Sequence, residues 1–197
     1  INLQNLNSIG KKVSQYKSSP QIELAGLFNF DLSMPLSKNN EKYDNLLIPK
    51  LSFRFNPSDM KNYSNSENKI NVDNIFAINR LGLSDTLETG RSMTLGLEYV
   101  NEKKNNLDDI NNYFEIKLAT VIRDKEQKFI PNKSSLHQKN SNLFGSITNK
   151  FTDNLDVGYN FSIDNDYKTF RYNDLNATIS VNNFVTTFNF IEENDET

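Results

Sequence analysis

Residues 155–163 read Leu-Asp-Val-Gly-Tyr-Asn-Phe-Ser-Ile, and this stretch decides the fold class of the chain. Every odd position is apolar or aromatic, namely Leu155, Val157, Tyr159, Phe161 and Ile163. The even positions between them carry aspartate, glycine, asparagine and serine. Successive side chains of a β-strand point to opposite faces, so this period of two predicts a strand with one apolar and one polar face.

The same period recurs along most of the chain. Further strands are predicted over residues 21–36, 50–56, 91–99, 113–123, 143–151, 170–181 and 184–191. The apolar positions of the third of these are Met93, Leu95, Leu97 and Tyr99. In residues 170–181 the apolar parity shifts, which predicts a β-bulge. Roughly eight strands of about 8–13 residues result, long for a globular sheet and suited to a tilted membrane crossing. Residues 1–20 show no clean period and remain a possible partial strand.

Composition narrows the class of protein. The 197 residues carry a net charge of −3 with scattered charges, so no basic surface for nucleic acid is predicted. The absence of cysteine excludes a disulfide framework and a thiolate metal site. A transmembrane helix is excluded because no run of about 18 apolar residues occurs. A barrel strand needs only alternate apolar residues, so the mean hydropathy of −0.65 does not exclude one. The chain starts at Ile1, and we expect a processed or truncated N-terminus.

The connections between the predicted strands alternate in length. Residues 152–154 and 182–183 form tight turns, whereas residues 60–71 and 124–142 are long and polar. Outer-membrane barrels have short periplasmic turns and long extracellular loops. If the turn at Thr152 is periplasmic, residues 124–142 and 57–90 lie outside the cell and residues 101–112 lie inside. This count requires residues 72–80 to belong to the long loop.

Aromatic residues lie beside the connections that this count places on the periplasmic side. They are Tyr99, Tyr113, Phe114, Phe151 and Phe184. Aromatic girdles occupy that level in outer-membrane barrels, although aromatics are common in any sheet. Only 7 glycines and no tryptophan are atypical of barrels. We interpret these aromatics as a girdle.

Catalytic and metal-binding patterns are weak in this sequence. The single histidine, His137, lies in a polar connection, where a solvated side chain is commoner than a member of a catalytic triad. Residues 164–166, Asp-Asn-Asp, lack the glycine and distal glutamate of a calcium loop and fit turn chemistry better. No glycine-rich phosphate loop occurs. We therefore predict no enzymatic activity, no cofactor and no metal site.

One segment has a residue pattern that is more specific than the formation of a turn requires. Residues 79–91 read Asn-Arg-Leu-Gly-Leu-Ser-Asp-Thr-Leu-Glu-Thr-Gly-Arg, and they lead into the strand that ends Gly-Leu-Glu-Tyr at Tyr99. This phrase resembles the hallmark of the C-terminal barrel domain of the lipopolysaccharide-assembly LptD family. Matching positions are Phe76, Asn79, Arg80, Asp85, Glu88, Gly90, Arg91, Gly96 and Tyr99. Gly82 lies one step earlier than the family pattern, and Ser84 is an insertion-like departure.

The resemblance extends on both sides of this segment, over residues 49–191. Residues 49–57 resemble the Pro-x-hydrophobic strand of the family, and residues 141–145 resemble its Ser-x-hydrophobic-x-Gly strand start. We therefore interpret residues 1–197 as part of one outer-membrane β-barrel domain, with residues 1–20 poorly defined. The predicted fold is all-β, an antiparallel up-and-down transmembrane barrel, as an incomplete, open section of a larger barrel.

The polar groups of this segment allow two interpretations. These groups are Asn79, Arg80, Asp85 and Arg91. The long external loop could fold into the barrel lumen, where Arg–Asp pairs would hold it by charge-assisted hydrogen bonds. Alternatively, these side chains cap turns, with Gly82 and Gly90 at positive φ. The sequence does not decide between them.

The resemblance implies a function that composition does not show. It implies a Gram-negative outer-membrane translocon that receives lipopolysaccharide from a periplasmic Lpt bridge and assembles it into the outer leaflet without bond chemistry. An LptE-type lipoprotein would plug the lumen, and outer-membrane lipid would cover the apolar strand positions. Two alternatives remain: a small closed pore or anchor barrel, whose first and last strands pair, and a soluble β-sandwich adhesin, whose apolar faces stack about 10 Å apart.

Overall fold

The structure is a computed structural model that describes residues 1–10, 21–104, 110–152 and 154–194. Strands account for most of the described chain. In order they are β1 (Asn2–Ser8), β2 (Gln21–Ser33), β3 (Leu36–Asn39), β4 (Tyr43–Asn56), β5 (Gly90–Lys104), β6 (Ile110–Arg123), β7 (Leu143–Thr152), β8 (Leu155–Ile163), β9 (Phe170–Val181) and β10 (Phe184–Glu193). One 3₁₀ turn covers Asn132–Ser134. Across the described ranges, no helix has the length and apolar character that a membrane span requires.

The strands form one sheet in which chain neighbours are sheet neighbours. The order is β1-β2-β4-β5-β6-β7-β8-β9-β10, and the short β3 pairs with β4 beside this path. The pairs from β6 to β10 are all antiparallel, as are β1 with β2 and β3 with β4. This confirms the predicted all-β, up-and-down, open barrel section. A two-sheet sandwich is wrong, and within the described ranges β1 and β10 do not pair as a small closed barrel requires.

Most predicted strands are confirmed, but several bounds are wrong. The strand predicted over residues 50–56 begins at Tyr43, the one predicted over residues 21–36 ends at Ser33, and the short β3 was not predicted. Residues 101–104 and 110–112 of the predicted connection belong to β5 and β6. Residues 72–80 form turns within the long β4–β5 connection and add no strand. The tight turn after β9 has Asn182 at a φ of 53°, a conformation that asparagine tolerates. Asp153 of the β7–β8 turn and residues 105–109 between β5 and β6 lie outside the described residues. The possible partial strand near the N-terminus is confirmed within residues 1–10, because β1 pairs with β2 from Asn2 to Ser8.

The predicted bulge in β9 is confirmed, and it corrects the position of one aromatic residue. Ser162 pairs with Tyr172, whereas the next residue, Ile163, pairs with Phe170. Arg171 is therefore the extra residue on β9. The shift places Tyr172 on the face of Ser162, opposite the face of Phe170, although the alternation alone had grouped the two aromatics.

The sheet has an inner face, on which Ser52, Arg54 and Thr94 lie, and an outer face, on which Phe53 and Leu97 lie. Ser52 and Thr94 are fully buried, whereas Phe53 is 52% exposed and Leu97 is 42% exposed. A soluble sheet buries its apolar side chains and exposes its polar ones. Here the arrangement is inverted, as in a barrel wall whose outer face meets lipid.

Cross-strand register extends the two faces through the later strands. Lys117 pairs with Ser146, and Ser146 pairs with Asn160, so these three share one face of the sheet. Lys117 has the parity of the buried Val121 and Arg123 on the same strand, so this face is the inner one. Tyr113 shares the parity of Lys117 and also faces inward, so its assignment to an outward aromatic girdle is wrong. Tyr99 and Phe114 contact each other edge to face, with ring centroids 6.3 Å apart.

The chain divides into two compact units. The first comprises Ile1–Leu32, Leu51–Thr94 and Val121–Ser141, and the second comprises Ser33–Lys50, Leu95–Thr120 and Asn142–Thr197. The first unit contains the two long connections. The second unit contains β7 to β10.

In the second unit, the Phe161 ring lies over Gly145 on the neighbouring strand. The two residues are register partners, and a Cβ placed on Gly145 would lie 2.7 and 2.8 Å from two of the ring carbons, closer than real carbon atoms approach. Glycine therefore makes room for the ring, and the ring covers a backbone that glycine leaves bare.

Gly145→Val is expected to lower the free energy of unfolding by about 1–3 kcal/mol, because the new methyl groups would force the Phe161 ring out of place. Urea unfolding of the full-length protein in detergent micelles measures this loss. Phe161→Ala should remove most of the additional loss that Gly145→Val causes. An undiminished loss in the double variant would contradict the proposed contact.

Candidate functional site

The most structured polar site of the first unit lies where the long β4–β5 connection, residues 57–89, covers the inner face of the sheet. We call residues 57–89 the covering segment. Leu87 of this segment packs against Ala25 and Leu27 of β2, and all three are buried. Apolar burial of this kind fixes the end of the segment against the sheet.

Four charged side chains meet beneath the covering segment and form what we call the arginine–glutamate cluster. Arg54 comes from β4, Arg123 from the end of β6, and Arg80 and Glu88 from the covering segment. Each of the four is at most 9% exposed. Charges buried to this degree are costly unless they are paired and hydrogen-bonded.

Arg80 and Glu88 form the centre of the cluster. Nε of Arg80 donates to Oε2 of Glu88 at 2.7 Å, and Nη2 donates to Oε1 at 2.6 Å. This is the bidentate geometry that the planar guanidinium is suited to provide. Arg80 also donates to the hydroxyls of Ser92 at 3.1 Å and Thr94 at 2.9 Å, both on the inner face of β5. The pair therefore ties the covering segment to the sheet.

The two arginines of the sheet contact the same carboxylate. Nη1 of Arg123 donates to Oε1 of Glu88, and Nη1 of Arg54 lies 3.6 Å from Oε2. Both also donate to backbone carbonyls of the covering segment: Arg54 to those of Ala77 and Ile78, and Arg123 to that of Thr89. One carboxylate and several carbonyls thus join two strands to the segment that covers them.

The surrounding charges decide the ionisation state of Glu88. Burial by itself would raise the pKa of Glu88. The charge and hydrogen bonds of Arg80, with the charges of Arg123 and Arg54, outweigh burial and hold the pKa of Glu88 well below its ordinary value. Glu88 is therefore ionised at neutral pH.

The depressed pKa of Glu88 has a consequence for stability in acid. Its stabilising contribution is complete above the ordinary glutamate pKa of 4.5 and is lost as the pH falls from there towards the lower folded-state value. We expect the urea midpoint of the full-length protein to fall more steeply below pH 4.5 than that of Glu88→Gln. Parallel pH profiles for the two proteins would contradict this expectation.

The predicted Arg–Asp pairing within the loop does not occur between Arg80 and Asp85. Asp85 instead accepts hydrogen bonds from the Tyr63 hydroxyl at 2.5 Å and from Nζ of Lys61 at 3.4 Å. The acidic partner of Arg80 is Glu88. The loop does fold against the inner face, but through a different carboxylate from the one that the motif suggested.

Turn chemistry accounts for another part of the motif. The side chain of Asn79 donates to the carbonyl of Leu83 at 2.8 Å and accepts from its N–H at 3.1 Å. Gly82 has a φ of 65° and Gly90 a φ of 87°, conformations that favour glycine. At Gly90 the backbone also approaches Arg123 closely, since an added Cβ would lie 3.3 Å from its Nη2.

Two other motif residues lie away from the cluster. Phe76 is half-buried in the covering segment. The exposed side chain of Arg91 lies on the outer face, with its guanidinium carbon 5.4 Å from the centre of the Phe55 ring. The cluster therefore unites Arg80 and Glu88 from the motif with Arg54 and Arg123, which the sequence interpretation had not selected.

The residues predicted to face lipid all occupy the alternate strand positions that point to the outer face. In β5, Leu95 and Leu97 are exposed, and Met93 and Tyr99 are half-buried. In β8 the five residues are half-buried: Leu155, Val157, Tyr159, Phe161 and Ile163. The hydroxyl of Tyr159 donates to Asn173 at 2.6 Å.

His137 is not a freely solvated side chain, contrary to the sequence interpretation. It is half-buried and lines a cavity of about 630 Å³ in the first unit. The remaining lining residues come from the covering segment and from the connection between β6 and β7. They are Asp59, Met60, Ser64, Thr89, Glu126, Gln127, Lys128, Phe129 and Asn132. Asp164, by contrast, serves a turn, because its carboxylate accepts from the N–H groups of Lys168 and Thr169.

The fold and the cluster define a class of protein: a β-barrel wall with an inverted pattern of polarity and a connection held against its inner face by buried charges. The family model described as LPS transport system D (LptD) matches residues 2–197. The chain belongs to this lipopolysaccharide-transport family. No curated protein matches the chain.

Proposed function

We propose that residues 1–197 form part of one outer-membrane β-barrel domain that assembles lipopolysaccharide into the outer leaflet of a Gram-negative bacterium. The observation that carries this proposal is the inverted polarity of the sheet. Ser52 and Thr94 are fully buried on the inner face, while Phe53 on the outer face is more than half exposed. Hydrocarbon stabilises such an outer face, whereas water would not.

The two faces suit the two parts of the transported lipid. The inner face presents hydroxyl, amide and carboxylate groups, such as Ser146, Asn160 and Asp174, that can hydrogen-bond a sugar chain. The outer positions Met93, Leu95, Leu97 and Tyr99 of β5, with Leu155, Val157, Tyr159, Phe161 and Ile163 of β8, contact membrane lipid in this proposal. Transport then requires a polar path beside an apolar wall and no bond chemistry.

The partners of this role are those that family membership suggests. They are lipopolysaccharide, an LptE-type lipoprotein that plugs the lumen, and a periplasmic Lpt bridge that delivers the lipid. The covering segment lies on the inner face. The plug would contact this face, and the sugar chain would pass along it. The motif residues shape and anchor this segment or its junction with β5. They are Phe76, Asn79, Arg80, Gly82, Asp85, Glu88, Gly90 and Arg91.

Depletion of the full-length protein in its source organism tests the proposal. Lipopolysaccharide newly reaching the cell surface, measured by surface labelling, should stop on depletion and resume with the wild-type protein. Arg80→Ala should restore it poorly, because Glu88 loses its bidentate partner. Lys61→Gln, which alters an ion pair elsewhere in the covering segment, should restore it. Undiminished delivery of lipopolysaccharide after depletion would refute the transport role.

A further inference from the structure

The arginine–glutamate cluster contains more positive charge than its carboxylate balances. Three guanidinium groups surround Glu88, which leaves an excess of two positive charges (3 − 1). In the described ranges, Nε of Arg54 and Nε of Arg123 are buried without a hydrogen-bond partner. An unsatisfied buried donor is costly, so a group that satisfied these donors would bind favourably.

The charges of the cluster belong to two different parts of the chain, the sheet and the covering segment. Arg54 and Arg123 belong to strands, so their positions are fixed by the sheet. Glu88 belongs to the covering segment, two residues before β5 begins at Gly90. If the segment moved away, the sheet would retain both cations and lose the carboxylate of Glu88 that pairs with each of them.

A phosphate group matches this site better than a carboxylate does. A phosphate monoester carries a charge close to −2 at neutral pH and presents three acceptor oxygens. Guanidinium groups bind such oxygens through paired N–H donors. Two arginines on the sheet therefore suit a phosphate monoester or a pyrophosphate group.

We propose that Arg54 and Arg123 form a phosphate-binding site on the inner face, which Glu88 occupies while the covering segment is in place. A phosphate group on the transported lipid displaces Glu88, and the covering segment is released from the sheet. This inference rests on the proposed function, because the lipid in transit supplies the phosphate. Glu88 is then both an anchor and an internal competitor of the ligand.

Hydrogen–deuterium exchange of residues 75–89 in the full-length protein in detergent micelles tests the proposal. The probes are inorganic pyrophosphate, lipopolysaccharide, and the same lipopolysaccharide after chemical dephosphorylation. The first two should accelerate exchange, and the third should not. Glu88→Gln should lower the concentration of pyrophosphate needed for half the effect by about tenfold, since the neutral amide no longer competes for the arginines with a negative charge.

Two further variants separate binding of phosphate from general loosening of the segment. Arg123→Lys keeps the charge but loses the planar fork, and should raise the required concentration several-fold. Lys61→Gln alters an ion pair of the same segment outside the cluster and should leave the required concentration unchanged.

Three results would overturn the inference. They are no response to either phosphate-bearing probe, an equal response to dephosphorylated lipopolysaccharide, and a response to pyrophosphate alone. None of them would affect the transport role, because depletion tests that role independently of how the covering segment moves.

Discussion

Replacing Glu88 by alanine is expected to lower the free energy of unfolding of the full-length protein by about 3–5 kcal/mol. The carboxylate is the shared ion-pair partner of Arg54, Arg80 and Arg123, each buried. Its removal leaves three buried guanidinium groups without the carboxylate that they share. Breaking a buried pair is far more costly than breaking an exposed one, because the remaining charge stays desolvated.

The same unfolding experiment with Lys61→Gln provides the matched control. Lys61 and Asp85 also form an ion pair within the covering segment, at 3.4 Å, but Asp85 is partly exposed and has the Tyr63 hydroxyl as another partner. We expect a smaller loss, of about 1–2 kcal/mol, because glutamine can still hydrogen-bond and Asp85 keeps the Tyr63 hydroxyl as a donor. Equal losses for Glu88→Ala and Lys61→Gln would show that the cluster does not anchor the segment.

Placing a lysine on the outer face is the second change with a large expected effect. Leu97→Lys should lower the free energy of unfolding in a lipid bilayer by about 2–4 kcal/mol, the cost of a cation near the middle of a membrane. Leu97 is 42% exposed and lies near the middle of the fifteen-residue strand β5 (Gly90–Lys104). Hydrocarbon cannot hydrate such a charge.

Asn160→Lys introduces the same charge on the inner face as a control. Asn160 is half-buried on β8, with Asp174 as its register partner on β9. A lysine there can pair with that carboxylate and remain hydrated, so we expect a change of about 1 kcal/mol or less. If Asn160→Lys destabilised the protein as much as Leu97→Lys, the assignment of the two faces would be wrong.

Strand positions could be predicted because alternation is a local signal. The β8 alternation from Leu155 to Ile163 gave its bounds and its apolar face directly. β1 was not predicted as a definite strand, because its pairing with β2 depends on a partner elsewhere in the chain. A bulge in β9 was predicted from a shift in parity after Tyr172, but the register places it before Tyr172, at Arg171.

The candidate site was only partly predictable, because its charges come together from distant positions. Arg54 and Glu88 are 34 residues apart, and Arg123 follows Glu88 by 35. Which carboxylate pairs with Arg80 depends on how the covering segment folds, and no spacing rule selects Glu88 over Asp85. One signal was available: Arg91 shares the parity of Met93, which places it on the outer face, whereas Arg54 alternates with Phe53 and Phe55 and must face inward.

Accessibility of single cysteines to lipid and to water tests the central claim most directly. Leu95→Cys and Leu97→Cys would be compared with Ser146→Cys and Asn160→Cys in the full-length protein in liposomes, after replacement of any other cysteines. Each is labelled with a fluorophore in detergent before reconstitution, and lipids with quenching groups in their acyl chains are then added. Strong quenching at the two leucine positions and weak quenching at the other two is the expected result. Quenching that did not differ between the two faces would contradict a membrane-facing apolar wall.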